Sequence, residues 1–143
     1  LDRMIKPFNS KHEYCGSYRR GKMEIGDIDM IISGSLSKYK RYVASVADIS
    51  ERVFTSGEQK SSVLLGGIQV DLRYVPESHW ASMLMHSTGS KEENIRLRKK
   101  AKTLGLTLNE YGLFDADGLA LDISSEEGIY SALGEKYKTP NER

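Results

Sequence analysis

A run of alternating acidic and apolar residues, Asp27-Ile28-Asp29-Met30-Ile31-Ile32, constrains the fold of this chain more than any other stretch. A period of two is the pattern of a β-strand, so we expect Asp27 and Asp29 to project from one face and Ile28 and Met30 from the other. Two carboxylates side by side on a rigid strand repel each other, and a bound divalent cation would relieve that repulsion. Hard oxygen ligands of this kind suit Mg²⁺. The strand is therefore predicted to carry a magnesium site.

A glycine-rich turn, Gly16-Ser17-Tyr18-Arg19-Arg20-Gly21, precedes the acidic strand. Glycine lets the backbone approach a ligand closely. Ser17 adds a hydroxyl, and Arg19 and Arg20 add donors for an anion. A phosphate site joined to a metal site by a short loop predicts a centre for metal-dependent phosphoryl or nucleotidyl transfer. The residues alone leave open a plainer alternative, a strand with two solvent-facing aspartates beside an ordinary turn.

The Gly-Ser pair followed by Asp-apolar-Asp resembles the nucleotidyltransferase signature. The fuller strings, residues 16–21 and Gly26-Asp27-Ile28-Asp29, resemble the X family of DNA polymerases, the relatives of polymerases beta and lambda. The resemblance runs from about Cys15 to the last residue. It implies an α/β (α+β) fold with two parts. Residues 1–86 would form a palm with a mostly antiparallel sheet flanked by helices, and residues 87–143 a small α/β thumb.

The pattern between these stretches predicts a helix and then a hairpin. Apolar residues at helical spacing predict a helix over 37–53, which Thr55-Ser56-Gly57 interrupts. Strands at 63–65 and 68–75, joined by two glycines, are predicted to form a β-hairpin.

Asp71 lies on the polar face of the second hairpin strand, together with Gln69 and Arg73. From the residues alone, a surface position is as plausible for Asp71 as a functional one. The resemblance implies that it is the third catalytic aspartate. Asp27 and Asp29 would then hold two Mg²⁺ ions, for which Mn²⁺ can substitute. Asp71 would bind the ion nearest the primer and accept its proton.

Two helices and their caps are predicted in the second half. Proline at 76 is well tolerated at a helix start, and Trp80, Met83 and Leu84 would form the apolar side of that helix. A basic helix over 91–104 carries six Lys or Arg and two Glu between residues 91 and 102, a local balance of +4. Its predicted inner side is Ile95, Ala101 and Leu104, and capping boxes are predicted at Ser90 with Glu93 and at Ser124 with Glu127.

The resemblance also implies ligand contacts. Residues implied to bind the nucleotide are Gly16, Ser17, Arg20, Gly26, His86, Ser87, Thr88, Gly89 and Asn94, and those implied to bind DNA are Arg73, Arg98 and Lys99. The chain departs from the family pattern in three places. Ile25 stands where a serine often touches phosphate, Gln69 where an arginine often contacts the primer, and His86-Ser87 where a Tyr-Phe pair is common beside the sugar.

Composition limits the remaining possibilities. A net charge of +1 does not by itself indicate nucleic-acid binding, so any basic surface must be local. The single cysteine cannot form an internal disulfide, which fits a reducing compartment. Without an apolar run or signal pattern, we expect an intracellular, cytoplasmic monomer, nuclear if the source is eukaryotic, that is not secreted and has no membrane partner. We also expect few additions per encounter, because the sequence shows no counterpart of the lyase, DNA-clamp or fingers domains.

The resemblance therefore implies template-directed transfer from a nucleoside triphosphate to a primer 3′-hydroxyl, with gapped or primer-template DNA as partner, in short-gap repair. A template-independent or small-molecule nucleotidyltransferase built on the same palm is an alternative. A non-catalytic DNA-binding remnant is another, from a different functional class.

Overall fold

The computed structural model describes all 143 residues. Five strands form the main sheet, in the spatial order β1-β2-β5-β4-β3. Their bounds are β1 His12–Tyr14, β2 Asp27–Ile32, β3 Arg52–Ser56, β4 Lys60–Leu65 and β5 Ile68–Tyr74. Three of the four pairings are antiparallel, and β2 pairs with β5 in parallel. The mostly antiparallel sheet expected from the sequence is thus confirmed, and the one parallel pairing lies at its centre.

Six α-helices accompany the sheet: α1 Asp2–Ile5, α2 Gly16–Arg19, α3 Leu36–Ile49, α4 Trp80–Thr88, α5 Lys91–Thr103 and α6 Glu126–Ala132. The long helix α3 covers one face of the sheet. Its side chains Tyr39, Tyr42 and Val46 are buried against Met30 and Leu72 of β2 and β5. Apolar residues of the alternating strands therefore face α3, which leaves their polar residues on the opposite face. None of the helices combines the length and the apolar composition that a membrane-spanning helix needs.

The hairpin of β4 and β5 is confirmed, with Gly66 and Gly67 both at positive φ (59° and 78°) as a tight turn of this kind requires. Strand β4 begins at Lys60, three residues earlier than predicted.

The predicted helix over 37–53 is too long. Helix α3 ends at Ile49 because Ser50 is extended (ψ 152°), and Val53 lies in β3. Val53 continues the helical spacing of apolar residues by coincidence. Strand β3 was missed because it is an exposed edge strand without a buried face, so no apolar alternation marks it.

The second half has its own core. Helices α4, α5 and α6 enclose a short hairpin of β6 Thr107–Asn109 and β7 Gly112–Phe114. Buried members of this core are Ala81, Met85, Leu97, Ala101, Leu108, Leu113, Ile129, Tyr130 and Leu133. Helix α4 also sends Met83 into a cluster with Cys15 and Ile31 on the sheet side, with Trp80 and Leu84 packed against it. The helix thus passes through the predicted boundary between residues 86 and 87, which stays a prediction.

The inner side of α5 differs from the prediction. Leu97 and Ala101 are fully buried, whereas Ile95 and Leu104 are 43% and 47% exposed. The error arose because Lys and Arg dominate the helix, so the few apolar residues did not define one stripe. Ile95 instead faces the cleft described below.

Both capping boxes are corrected by the structure. The Ser90 hydroxyl accepts from the Glu93 amide, but the Glu93 carboxylate turns inward to Arg96 and Tyr130 instead of returning to the cap. The second cap is Ser125, one residue later than predicted, and it accepts from the Gly128 amide. A glycine at that position has no side chain to complete a box.

Candidate active site

The parallel register of β2 and β5 places Asp29 directly opposite Asp71 on the exposed face of the sheet. Both side chains are half-buried. Burial, then the charges of Asp71 and Asp27, raise the pKa of Asp29 to about 6. Arg20 offsets this negative charge only in part, so the pair favours a cation, and its donors are the hard oxygens that Mg²⁺ prefers. The pair fits a divalent ion.

Asp27 is exposed at the start of β2, on the same face as Asp29. No group of three or more His, Cys, Asp or Glu side chains is arranged around one point that could hold a metal ion. The structure therefore brings together two of the three predicted metal ligands, and the charge of the third acts on Asp29.

Gly16 packs against Asp29 rather than against open space. A Cβ at position 16 would lie 2.4 Å from Asp29 Oδ2, and the residue has a positive φ of 61°. The sequence suggested that this glycine makes room for a ligand phosphate. In the structure, the atom that requires glycine here is the carboxylate oxygen of Asp29.

The two arginines of the turn have different roles. Arg19 donates twice to the Glu126 carboxylate, at 2.9 and 2.6 Å, and once to the Thr88 hydroxyl. Its donors are thus engaged within the protein, contrary to the expectation that Arg19 serves an anion. Arg20 donates to the Thr88 carbonyl at 2.6 Å and borders the cleft, and its buried Nε has no partner. Arg20 retains donor capacity for an anion.

The turn after α4 contributes main chain rather than side chain to the cleft. Thr88 is fully buried, and its hydroxyl donates to the Leu84 carbonyl. The predicted nucleotide contact of Thr88 therefore cannot come from its side chain. Gly89 borders the cleft, where a Cβ would lie 2.9 Å from Arg20 Nη1.

His86 and Ser87 lie at the centre of the cleft. His86 Nδ1 accepts from Arg98 Nη2 at 2.9 Å, and Nε2 is 3.6 Å from a Glu110 oxygen. Burial lowers the pKa of His86, the charge of Glu110 opposes this, and nearby cations including Arg98 lower it further. Since arginine can only donate, the imidazole is neutral, with its proton on Nε2. Asn94 donates to the His86 carbonyl and fixes the end of α4.

The three predicted DNA-binding residues are placed differently. Arg98 is exposed and borders the cleft. Arg73 is half-buried and paired with Glu110 at 3.2 Å on the cleft wall. Lys99 is exposed but does not line the cleft.

The cleft consists of two adjoining cavities of about 410 and 610 Å³ that share Asp29, His86 and Ser87. The smaller lies over β4 and β5, and the larger lies between α2 and α5. The larger contains the predicted residues Gly16, Ser17, Arg20, Gly26, Asp27, Gly89, Asn94 and Arg98. Lining residues that the sequence did not predict include Thr55, Lys60, Ser61, Ser62, Lys91 and Ile95. Had the sequence prediction begun β4 at Lys60, it would have placed Lys60 and Ser62 on one face of that strand.

The chain is similar in sequence to known proteins. Residues 3–97 match the family model described as DNA polymerase beta palm, and residues 83–143 match DNA polymerase beta thumb. The chain is 33% identical over 129 residues to the DNA polymerase/3′-5′ exonuclease PolX of Bacillus subtilis, covering 87% of this chain and 22% of that protein. It is 27% identical over 159 residues to rat DNA polymerase lambda, covering 90% of this chain and 28% of that protein.

The Repair DNA polymerase X of African swine fever virus is 28% identical over 148 residues. That alignment covers 98% of this chain and 85% of the viral protein. The chain therefore spans less than a third of the first two relatives and most of the viral one.

Proposed function

The chain belongs to the X family of DNA polymerases, and we propose that it adds nucleotides to the 3′-hydroxyl of a DNA primer as a template directs. The observation that carries the proposal is the Asp29–Asp71 pair on the floor of a cleft, with Arg20 on one side and the basic helix α5 on another. A pair of carboxylates serves metal-dependent transfer, and the nearby cations suit a polyphosphate and a nucleic-acid backbone.

Asp27 and Asp29 would hold two Mg²⁺ ions, and Asp71 would share the one nearest the primer; Mn²⁺ would substitute. When bound, such ions neutralise charge on the entering and leaving oxygens. Asp71 accepts the proton of the primer hydroxyl. The primer oxygen bonds to the α-phosphorus, the bond from that phosphorus to the bridging oxygen breaks, and pyrophosphate leaves.

The triphosphate would lie in the larger cavity. Gly16, Ser17 and Gly26 present backbone and hydroxyl donors there, and Arg20 supplies charge. His86, Ser87 and the Gly89 backbone would border the sugar, with Asn94 and Arg98 beside the base.

DNA would cross the smaller cavity and the exposed side of α5. Lys60 and Arg73 line the cavity, and Arg98 and Lys99 are exposed on the helix. The viral relative of this chain is named Repair DNA polymerase X. A short gap in duplex DNA is therefore the substrate we propose.

Primer extension on gapped and open template DNA, with Mg²⁺ or Mn²⁺, tests the proposal. Asp29→Ala and Asp71→Ala should each reduce the rate at least ~10²-fold. Asp48→Ala, an exposed aspartate on α3, is the matched control and should extend normally. If the identity of the incorporated base does not depend on the template base, the template-independent alternative is supported. DNA binding without any extension would support the non-catalytic one.

A further inference from the structure

One transverse row of the sheet contains both half-buried aspartates and a serine. Asp29 of β2 pairs with Asp71 of β5, and Asp71 pairs on its other side with Ser62 of β4. Opposite residues share a face, so all three side chains face the cleft, and each lines the smaller cavity. Gln69 lies two residues before Asp71 on the same strand and therefore on the same face.

Two neutral donors reach one oxygen of Asp71. The Ser62 hydroxyl donates to Oδ1 at 2.6 Å, and the Gln69 side-chain amide donates to the same atom at 3.1 Å. Neither reaches Oδ2. The carboxylate is thus fixed in rotation, with one oxygen held by the sheet and the other left for the cleft.

We propose that Ser62 and Gln69 are positioning residues that hold Asp71 in its working orientation. The inference rests on the function proposed above, in which Asp71 serves the primer hydroxyl. A carboxylate next to Asp29 is repelled by it and would otherwise rotate away. Two donors on the far oxygen oppose that rotation, as partners of metal ligands commonly do.

The chemistry of the donors matters as well as their position. A hydroxyl and an amide orient the carboxylate without placing a positive charge on it. An arginine at position 69 would form a stronger, charge-assisted bond and would share the charge that Asp71 offers to a cation and a proton. Gln69 therefore orients the Asp71 carboxylate without adding a positive charge beside it.

The test separates orientation from binding. Ser62→Ala and Gln69→Leu should each lower kcat about 10-fold, and the double variant up to about 100-fold. KM for the nucleotide should stay constant, since neither residue lines the larger cavity. Ser62→Thr keeps the hydroxyl and should restore kcat. Gln69→Glu replaces a donor with a repelling acceptor and should reduce kcat more than Gln69→Leu does.

A second readout does not depend on activity. Mn²⁺ titration by electron paramagnetic resonance, without DNA or nucleotide, should show affinity about 10-fold weaker in the double variant. Ser37→Ala is the matched control, because Ser37 is exposed on α3 and lines neither cavity of the cleft. It should leave both kcat and Mn²⁺ affinity unchanged.

The outcomes distinguish this inference from the proposed function. Absence of extension by the wild-type protein would overturn the function, and the Mn²⁺ titration would still decide the role of the two donors. An active wild type with an inactive Asp71→Ala variant, but unchanged kcat and Mn²⁺ affinity in the double variant, would overturn the positioning role alone.

Discussion

Gly16 shows how a single residue supports the site at the residue scale. Its missing side chain lets the Asp29 carboxylate lie against the start of α2, where a Cβ would be 2.4 Å from Oδ2. Real Cβ atoms do not approach an oxygen so closely, so any other residue must displace either the turn or Asp29. The close packing of the turn against β2 therefore depends on a glycine at position 16.

We predict that Gly16→Ala reduces extension at least ~10²-fold, because small displacements of reacting groups have effects of that size. Gly21→Ala is the control. Gly21 has a similar positive φ of 72°, but the nearest atom to its Cβ position is 3.9 Å away. Both variants should lose about 1 kcal/mol of stability from backbone strain. Equal activity of the two variants would show that contact with Asp29 is unimportant.

A second residue-scale prediction concerns the sugar. His86 is held by Arg98, and the adjacent Ser87 has a small side chain beside the cleft. A pocket that merely fails to exclude an added hydroxyl discriminates weakly, by about 10²-fold at most. We therefore expect ribonucleotides to be accepted. The measurement is the ratio of kcat/KM for dNTP and rNTP opposite the same template base.

Ser87→Phe should increase that ratio by filling the space beside the ribose, while His86 keeps its bond to Arg98. Ser45→Phe, on α3 away from the cleft, is the control. A wild-type ratio well above about 10³ would contradict the prediction, because an open pocket of this kind cannot supply it.

At the scale of elements, helix α5 provides the exposed basic surface. Its buried face is Leu97 and Ala101, which leaves Arg98 and Lys99 toward solvent. The local charge is +4 on a chain whose net charge is +1. DNA affinity should therefore depend on this helix and be strongly salt-sensitive.

Replacing both Arg98 and Lys99 by alanine should reduce the slope of log affinity against log salt by about 0.9 for each DNA phosphate that the variant no longer neutralises. Lys38→Ala, an exposed lysine on α3, should leave the slope unchanged. The measurement is fluorescence anisotropy with a gapped duplex across a range of salt. A slope unaltered in the double variant would place the DNA on another surface.

Elements with a buried face were predictable from the sequence. Strands β2 and β5 alternate apolar and polar residues because one face packs on α3, so Asp29 and Asp71 could be assigned to polar faces from the sequence. That the two strands are neighbours did not follow from the alternation and was implied only by the family resemblance. Strand β3 has no buried face and was missed. The inward turn of Glu93 was also hidden, because its partner Tyr130 is 37 residues away. Contacts between distant elements leave no local pattern.

At the scale of the whole molecule, one buried carboxylate joins the two halves. Glu126 of α6 accepts from Arg19 of α2 and, at 2.7 Å, from Arg143 at the end of the chain. Arg143 is itself buried against the rings of Tyr130 and Tyr137. Because Arg20 follows Arg19 directly, the position of the thumb is tied to the turn that would cradle a triphosphate.

Burial works to raise the pKa of Glu126, but hydrogen bonds and charge from Arg19 and Arg143 outweigh it, so the pKa is lowered. A lowered pKa means that the carboxylate stabilises the fold fully above its unfolded value, near pH 4.5. That contribution is lost as the pH falls through the folded pKa. Glu126→Gln leaves two largely buried guanidinium groups without their charge partner, and should cost about 3–5 kcal/mol of unfolding free energy at pH 7.

The measurement is urea unfolding of the wild type and the variant between pH 7 and pH 3. The difference between them should shrink below the folded pKa, because the wild-type carboxyl is then also neutral. Glu127→Gln, an exposed neighbour on α6, is the matched control and should change the unfolding free energy by no more than about 0.5 kcal/mol. A difference that stayed constant with pH would mean that the shape of the side chain, rather than its charge, joins the two halves. In that case the two arginines would be held by packing alone, and the coupling between thumb and turn would not depend on pH.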